Sequence, residues 1–105
     1  MIIGVDIPDE IINSILLRGM ESPYSYWAKF ENKRISPDSS LLKCNIVEIE
    51  TGDLKKISTG SIYNGLRLMA TKKPAQFARI IEGTFDGETG DILIQMSVFG
   101  AIKYE

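Results

Sequence analysis

Proline and glycine cut this chain into short pieces, and between the cuts the apolar spacing switches from helical to alternating and back. Pro8 and Pro74 stand where a new element should begin, Pro23 where a helix should be over, and Gly52, Gly83 and Gly100 where an element should turn or end. The longest unbroken apolar stretches, Ile15 to Leu17 and Ile92 to Ile94, fall far short of the roughly 20 residues a membrane helix needs. Many short elements around one core are therefore expected.

Ile2, Ile3, Val5 and Ile7 are β-branched, partly alternating and stopped by Pro8, which predicts a strand. Asp9 and Glu10 then place negative charge where a first helical turn leaves its N–H groups unpaired. Ile11, Ile12, Ile15, Leu16 and Met20 recur at spacings of three and four, predicting an amphipathic helix over about 9–20. Pro23 disfavours helical geometry at Ser22 and closes it.

In the next segment Tyr24, Tyr26, Ala28 and Phe30 have one parity, as on one face of a strand. Residues 36–40 have turn composition. Leu42, Cys44, Ile46, Val47 and Ile49 lead into Thr51-Gly52-Asp53, and Leu54 to Ile57 resumes the pattern, which predicts a hairpin around Gly52. Cys44 reads as a small buried strand residue. Glu48 and Glu50, opposite in parity to Val47 and Ile49, read as a solvent-facing row.

Thr59 is placed to cap a helix carrying Ile62, Leu66 and Met69, and a second helix should run from Pro74 through Phe77, Ile80 and Ile81 to Gly83. Asp86 to Asp91 reads as an acidic loop. Ile92 to Phe99 fits both periods; a buried helix is preferred, with Thr89 as its cap, Asp91 as a first-turn acid and Gly100 as its end. Ile102-Lys103-Tyr104 would add a terminal strand. No repeat, low-complexity tract or linker interrupts the 105 residues, so the expectation is one small α+β domain over 1–105, with a mostly antiparallel sheet and about four helices.

Composition narrows function by subtraction. With no histidine and a single cysteine, the chain has no Ser-His-Asp or Cys-His arrangement, no histidine ligand for zinc and no internal disulfide. Counted from Asp86 as an EF-hand loop, the sixth position holds Asp91 instead of glycine and the twelfth Ser97 instead of glutamate, so no calcium site is expected there. The glycines form neither a GxGxxG nor a phosphate-loop pattern. Glu21, Glu31, Glu48 and Glu50 are available for acid-base work, yet nothing in the spacing pairs them. The expectation is a protein without a cofactor or metal that is not an enzyme.

A net charge of -2 supplies no positive excess to draw a nucleic-acid backbone, and too little negative charge to mimic one. The opening MIIGVDIPDE lacks the basic start and apolar run of a secretory signal, and the lone cysteine suits a reducing compartment, so a cytoplasmic location is expected. The informative stretch is Glu21 to Trp27, where a carboxylate at a helix end precedes amphipathic aromatics. Such rings are favoured in interfaces and also stack on bases. Glu21, Tyr24, Tyr26, Trp27 and Lys29 are the candidate binding residues, with core packing as the competing role, above all for Trp27.

Ile7-Pro8-Asp9-Glu10-Ile11-Ile12, Glu21 with Tyr26-Trp27, and Asp91-Ile92-Leu93-Ile94-Gln95 through Phe99-Gly100-Ala101-Ile102-Lys103-Tyr104 resemble a family of small bacteriophage and prophage proteins. That family starts with Ile-Pro-Asp/Glu, carries Glu-Gly-Gly followed by Tyr-Trp, and ends near Phe-Gly-Glu-x-x-Tyr-Gly. Here Ser22-Pro23 replaces the two glycines, Ala101 the glutamate and Glu105 the last glycine. The resemblance spans about a third of the chain and implies a mobile-element setting, in the host bacterial cytoplasm, without implying a reaction; it also supports the helix over 91–99. In that setting the leading expectation is a non-enzymatic inhibitor that occupies a host immune protein, anti-CRISPR-like in action. The alternatives are a sponge for an immune signalling nucleotide, with Arg18, Lys29 or backbone N–H groups meeting phosphate and two self-associated copies building the pocket, and a virion assembly accessory.

Overall fold

The computed structural model describes residues 7–35 and 40–105. The expected strand over 2–7, except Ile7, and the expected turn over 36–40, except Ser40, lie outside these residues. Pro8, extended at ψ 145°, precedes helix α1 (Asp9–Glu21), and its carbonyl accepts the N–H groups of Ile11 and Ile12. Ile12, Ile15 and Leu16 form the buried face of α1, as the three-and-four spacing requires.

Pro23 does more than end α1. It starts a single 3₁₀ turn, Pro23–Ser25, followed by two further turn residues, so strand β1 begins only at Ala28 (Ala28–Ile35). The expected common strand face of Tyr24, Tyr26, Ala28 and Phe30 is therefore corrected. Tyr24 and Tyr26 belong to the turn, and the change of path swings Trp27 inward.

Strands β1, β2 (Leu42–Glu48) and β3 (Leu54–Ile57) form an antiparallel sheet in the order β1-β2-β3. The β2–β3 hairpin pairs Val47 with Leu54 and Cys44 with Ile57. Gly52, at φ 77°, supplies the left-handed residue of its turn. Between Glu31 and Arg34 the β1–β2 register shifts, and Asn32 takes φ 57° there.

Leu42, Cys44, Ile46 and Glu48 all face inward from β2. Cys44 is buried as expected, and burial pushes its thiol up to about 11, outweighing the charges of Lys33 and Arg34. The solvent-facing row of Glu48 and Glu50 is corrected. Glu48 is 0% exposed while Ile49 is 61% exposed, because β2 keeps the parity set by Leu42, Cys44 and Ile46 to its end.

Helix α2 (Thr59–Lys72) is capped by Ser58, one residue before the expected Thr59, in a reciprocal capping box with Ser61. Helix α3 (Pro74–Glu82) closes on Gly83 at φ 76°. Helix α4 (Gly87–Phe99) resolves the ambiguous segment as helix and ends on Gly100 at φ 73°. Its cap is Asp86, with Thr89 returning the bond from the first turn, so the expected acidic loop is the cap and opening turns of α4 and Thr89 is not the cap itself.

Buried residues appear all around α4, which packs against α1, α2, α3, β3 and the 3₁₀ turn as the central element. It crosses α1 at Gly19 and Gly90, where a Cβ on Gly90 would lie 2.3 Å from the Ile15 carbonyl oxygen. Among the described residues no helix is long and apolar enough to cross a membrane.

Candidate functional site

Central position explains why two polar residues of α4 matter. Asp91 and Gln95, one turn apart, are both buried and project toward the 3₁₀ turn and residues 101–105. Asp91 Oδ1 accepts from the Ser25 hydroxyl and the Trp27 indole N–H, each at 2.8 Å, and Oδ2 accepts from Gln95 Nε2 at 2.8 Å. Desolvation raises the Asp91 pKa above its ordinary value, and the three hydrogen bonds only partly oppose that rise.

Gln95 also fastens residues 101–105. Its Oε1 accepts the backbone N–H groups of Lys103 (2.8 Å) and Tyr104 (2.9 Å), and its Nε2 donates to the Tyr104 carbonyl at 2.8 Å. The expected strand over 102–104 is corrected for this reason: a side chain takes the bonds that a neighbouring strand would have taken. The Tyr104 ring then stacks parallel on Trp27, centroids 5.4 Å apart, with Phe99 beside both.

Buried Glu48 forms the second anchor. Its carboxylate accepts from the Lys103 ammonium and the Tyr104 hydroxyl. The Lys103 hydrogen bond is the larger reason that the Glu48 pKa lies below its ordinary value, and Lys103 and Tyr104 are in turn raised by bonding to Glu48. Parity, not charge, put Glu48 inside, and the basic and phenolic groups of 103–104 make that position tolerable.

These two acids predict opposite pH behaviour. Glu48, lowered from 4.5, stabilises the fold fully above that value, and the contribution is lost as pH falls through its folded midpoint. Asp91, raised from 3.8, costs stability as pH rises from that value through its folded midpoint. Carbon-detected carboxyl titration should place Glu48 below 4.5 and Asp91 above 3.8, and Glu48→Gln should flatten the loss of stability on the acid side. A Glu48 midpoint at or above 4.5, or an Asp91 midpoint at or below 3.8, would contradict this account.

Beside this network opens a cleft of about 460 Å³. Tyr24, Tyr26 and Tyr104 line it, with Ile92 and Ile102 as apolar surface. Its charged lining is Lys73 against Glu88, Asp91 and Glu105. Tyr24 and Tyr26 are 51% and 61% exposed, and the Tyr26 hydroxyl reaches the Glu105 carbonyl at 3.2 Å.

Of the five residues expected from sequence, Tyr24 and Tyr26 meet at this cleft. Trp27, at 2% exposure, is corrected from surface candidate to core, because its indole N–H is spent on Asp91 and its ring on Tyr104 and Phe99. Glu21 and Lys29 are exposed but do not line the cleft, and Lys29 lies 3.6 Å from Glu31. Arg18 is engaged elsewhere, its guanidinium 5.2 Å from the centre of the Phe85 ring and bonded to the Phe85 carbonyl.

Sequence reasoning missed Asp91, Gln95 and Tyr104 as parts of the site. The available signal was a polar pair four residues apart, Asp91 and Gln95, flanking the apolar run Ile92 to Ile94, a pattern that demands partners wherever the helix is buried. A second hollow of about 260 Å³, with Ile11, Ile80, Ile81 and Phe85 in its wall, is mainly apolar, with Glu82 as its charged lining residue. Among the described residues no group of three or more acidic or cysteine side chains could hold a metal ion. Against protein-family models, curated proteins and solved structures alike, the chain finds no match.

Proposed function

We propose that this is a non-catalytic binding protein of a phage or prophage, which inhibits a host defence protein by docking through the cleft at Tyr24 and Tyr26. The observation that carries this reading is the pair of exposed tyrosine rings on the rim of a cleft whose floor is fixed by buried hydrogen bonds. Exposed aromatics on a preorganised base bind with little ordering cost, which is how interface hot spots are built. The nucleotide sponge is the weaker alternative. Its expected side-chain phosphate contacts, Arg18 and Lys29, lie outside the lining, and an anion in the cleft would meet three carboxylates and one lysine.

The test compares the protein with Tyr24→Ser/Tyr26→Ser as bait in a lysate of phage-infected host, followed by reconstitution with the purified partner. Both rings are exposed, so the double variant should melt close to the parent. Its affinity should fall roughly thirtyfold or more, the loss of one hot spot. Equal capture by the two proteins would refute the docking surface. A sponge would instead gain about 2.7 kcal/mol of stability from its nucleotide at one hundred times Kd.

A further inference from the structure

Resting on that docking surface, we propose that the cleft receives one cationic side chain, an arginine or lysine, from the protein partner. Three observations converge on a cation. Tyr24 and Tyr26 line the space with exposed rings, and aromatic faces attract a desolvated ammonium or guanidinium. Glu88, Asp91 and Glu105 outnumber Lys73, so the lining is short of positive charge.

The third observation is the state of Asp91. It is 5% exposed, and every group bonded to it is neutral: a hydroxyl, an indole N–H and a side-chain amide. Oδ2 holds a single one of those bonds, which leaves acceptor capacity on a carboxylate that lines the cleft. A buried carboxylate without a cation is an unfavourable arrangement that a partner's charge would relieve. The cleft, at about 460 Å³, lies in the size range of sites that enclose a small ligand or a side chain.

The probes are N-acetyl-argininamide, N-acetyl-glutaminamide as its uncharged counterpart, and ATP, each titrated into the full chain and followed by backbone amide NMR. The arginine probe should give saturable shifts at Tyr24, Tyr26, Asp91, Ile92 and Tyr104, and the glutamine probe should not. In Glu88→Gln/Glu105→Gln the arginine response should weaken about five- to tenfold, with the fold intact because neither side chain is buried. Equal shifts from the uncharged probe, shifts from ATP alone, or no saturable shift would each overturn the proposal.

Its failure is separable from that of the docking surface. If Tyr24→Ser/Tyr26→Ser loses the partner while Glu88→Gln/Glu105→Gln binds it undiminished, the surface stands and the cation falls. If both variants keep the partner, both fall.

Discussion

Gly90→Ala is expected to destabilise the protein by about 3 kcal/mol, a large share of what a small domain has to lose. A Cβ at this position would stand 2.3 Å from the Ile15 carbonyl oxygen and 2.5 Å from the Gly19 nitrogen, both backbone atoms of α1. No rotamer change relieves such a contact, so α1 and α4 would have to move apart. Gly60→Ala is the control: nothing lies within 4 Å of its Cβ, and the same substitution inside a helix should be neutral or stabilising by about 1 kcal/mol at most. Urea denaturation of the pair separates the two outcomes. Comparable midpoints would mean that α1 and α4 do not approach this closely.

Asp91→Ala should cost a similar amount, about 3 kcal/mol, for a different reason. It strands the Ser25 hydroxyl, the Trp27 indole N–H and one Gln95 N–H without acceptors in a buried site. Relief of the desolvated charge offsets part of that loss, and Asp91→Asn shows how much. An asparagine oxygen keeps the bonds from Ser25 and Trp27 while its amide opposes the Gln95 amide, so this variant should lose only about 1 kcal/mol. Denaturant melts of the two variants rank them. Asn as harmful as Ala would show that the charge itself, rather than its acceptor oxygens, organises the site.

Elements whose signals are local were legible in the sequence. The period of α1, the Gly52 hairpin, and the Pro74 start and Gly83 stop of α3 each follow from residues within one turn of the feature they specify. What misled was a local rule overruled from a distance. Alternation at Tyr24 to Phe30 looks like a strand, but Pro23 locks a 3₁₀ turn and breaks the parity before β1 begins. Glutamate at position 48 looks like surface, yet the parity of Leu42, Cys44 and Ile46 carries it inward, where Lys103 and Tyr104 meet it.

The candidate site was half legible. Aromatic crowding marked Tyr24 and Tyr26, while Asp91 and Gln95 act on groups 64 to 66 residues earlier and 8 or 9 residues later. Nothing in local spacing encodes those meetings. Only the burial of α4 on every side forces its polar residues to find such partners.

Gln95 grips residues 103 and 104 by their main chain, and main-chain atoms are the same whatever side chains they carry. Ile102 and Glu105, which face the cleft from either side of that grip, are consequently outside its control. Ile102 also packs against the core, so the rewritable part of this wall is the exposed Glu105, where substitutions can change what the cleft presents while the fastening stays in place. A substitution at position 105 would then carry little penalty in folding, whereas one at Ile102 would disturb its packing on the core.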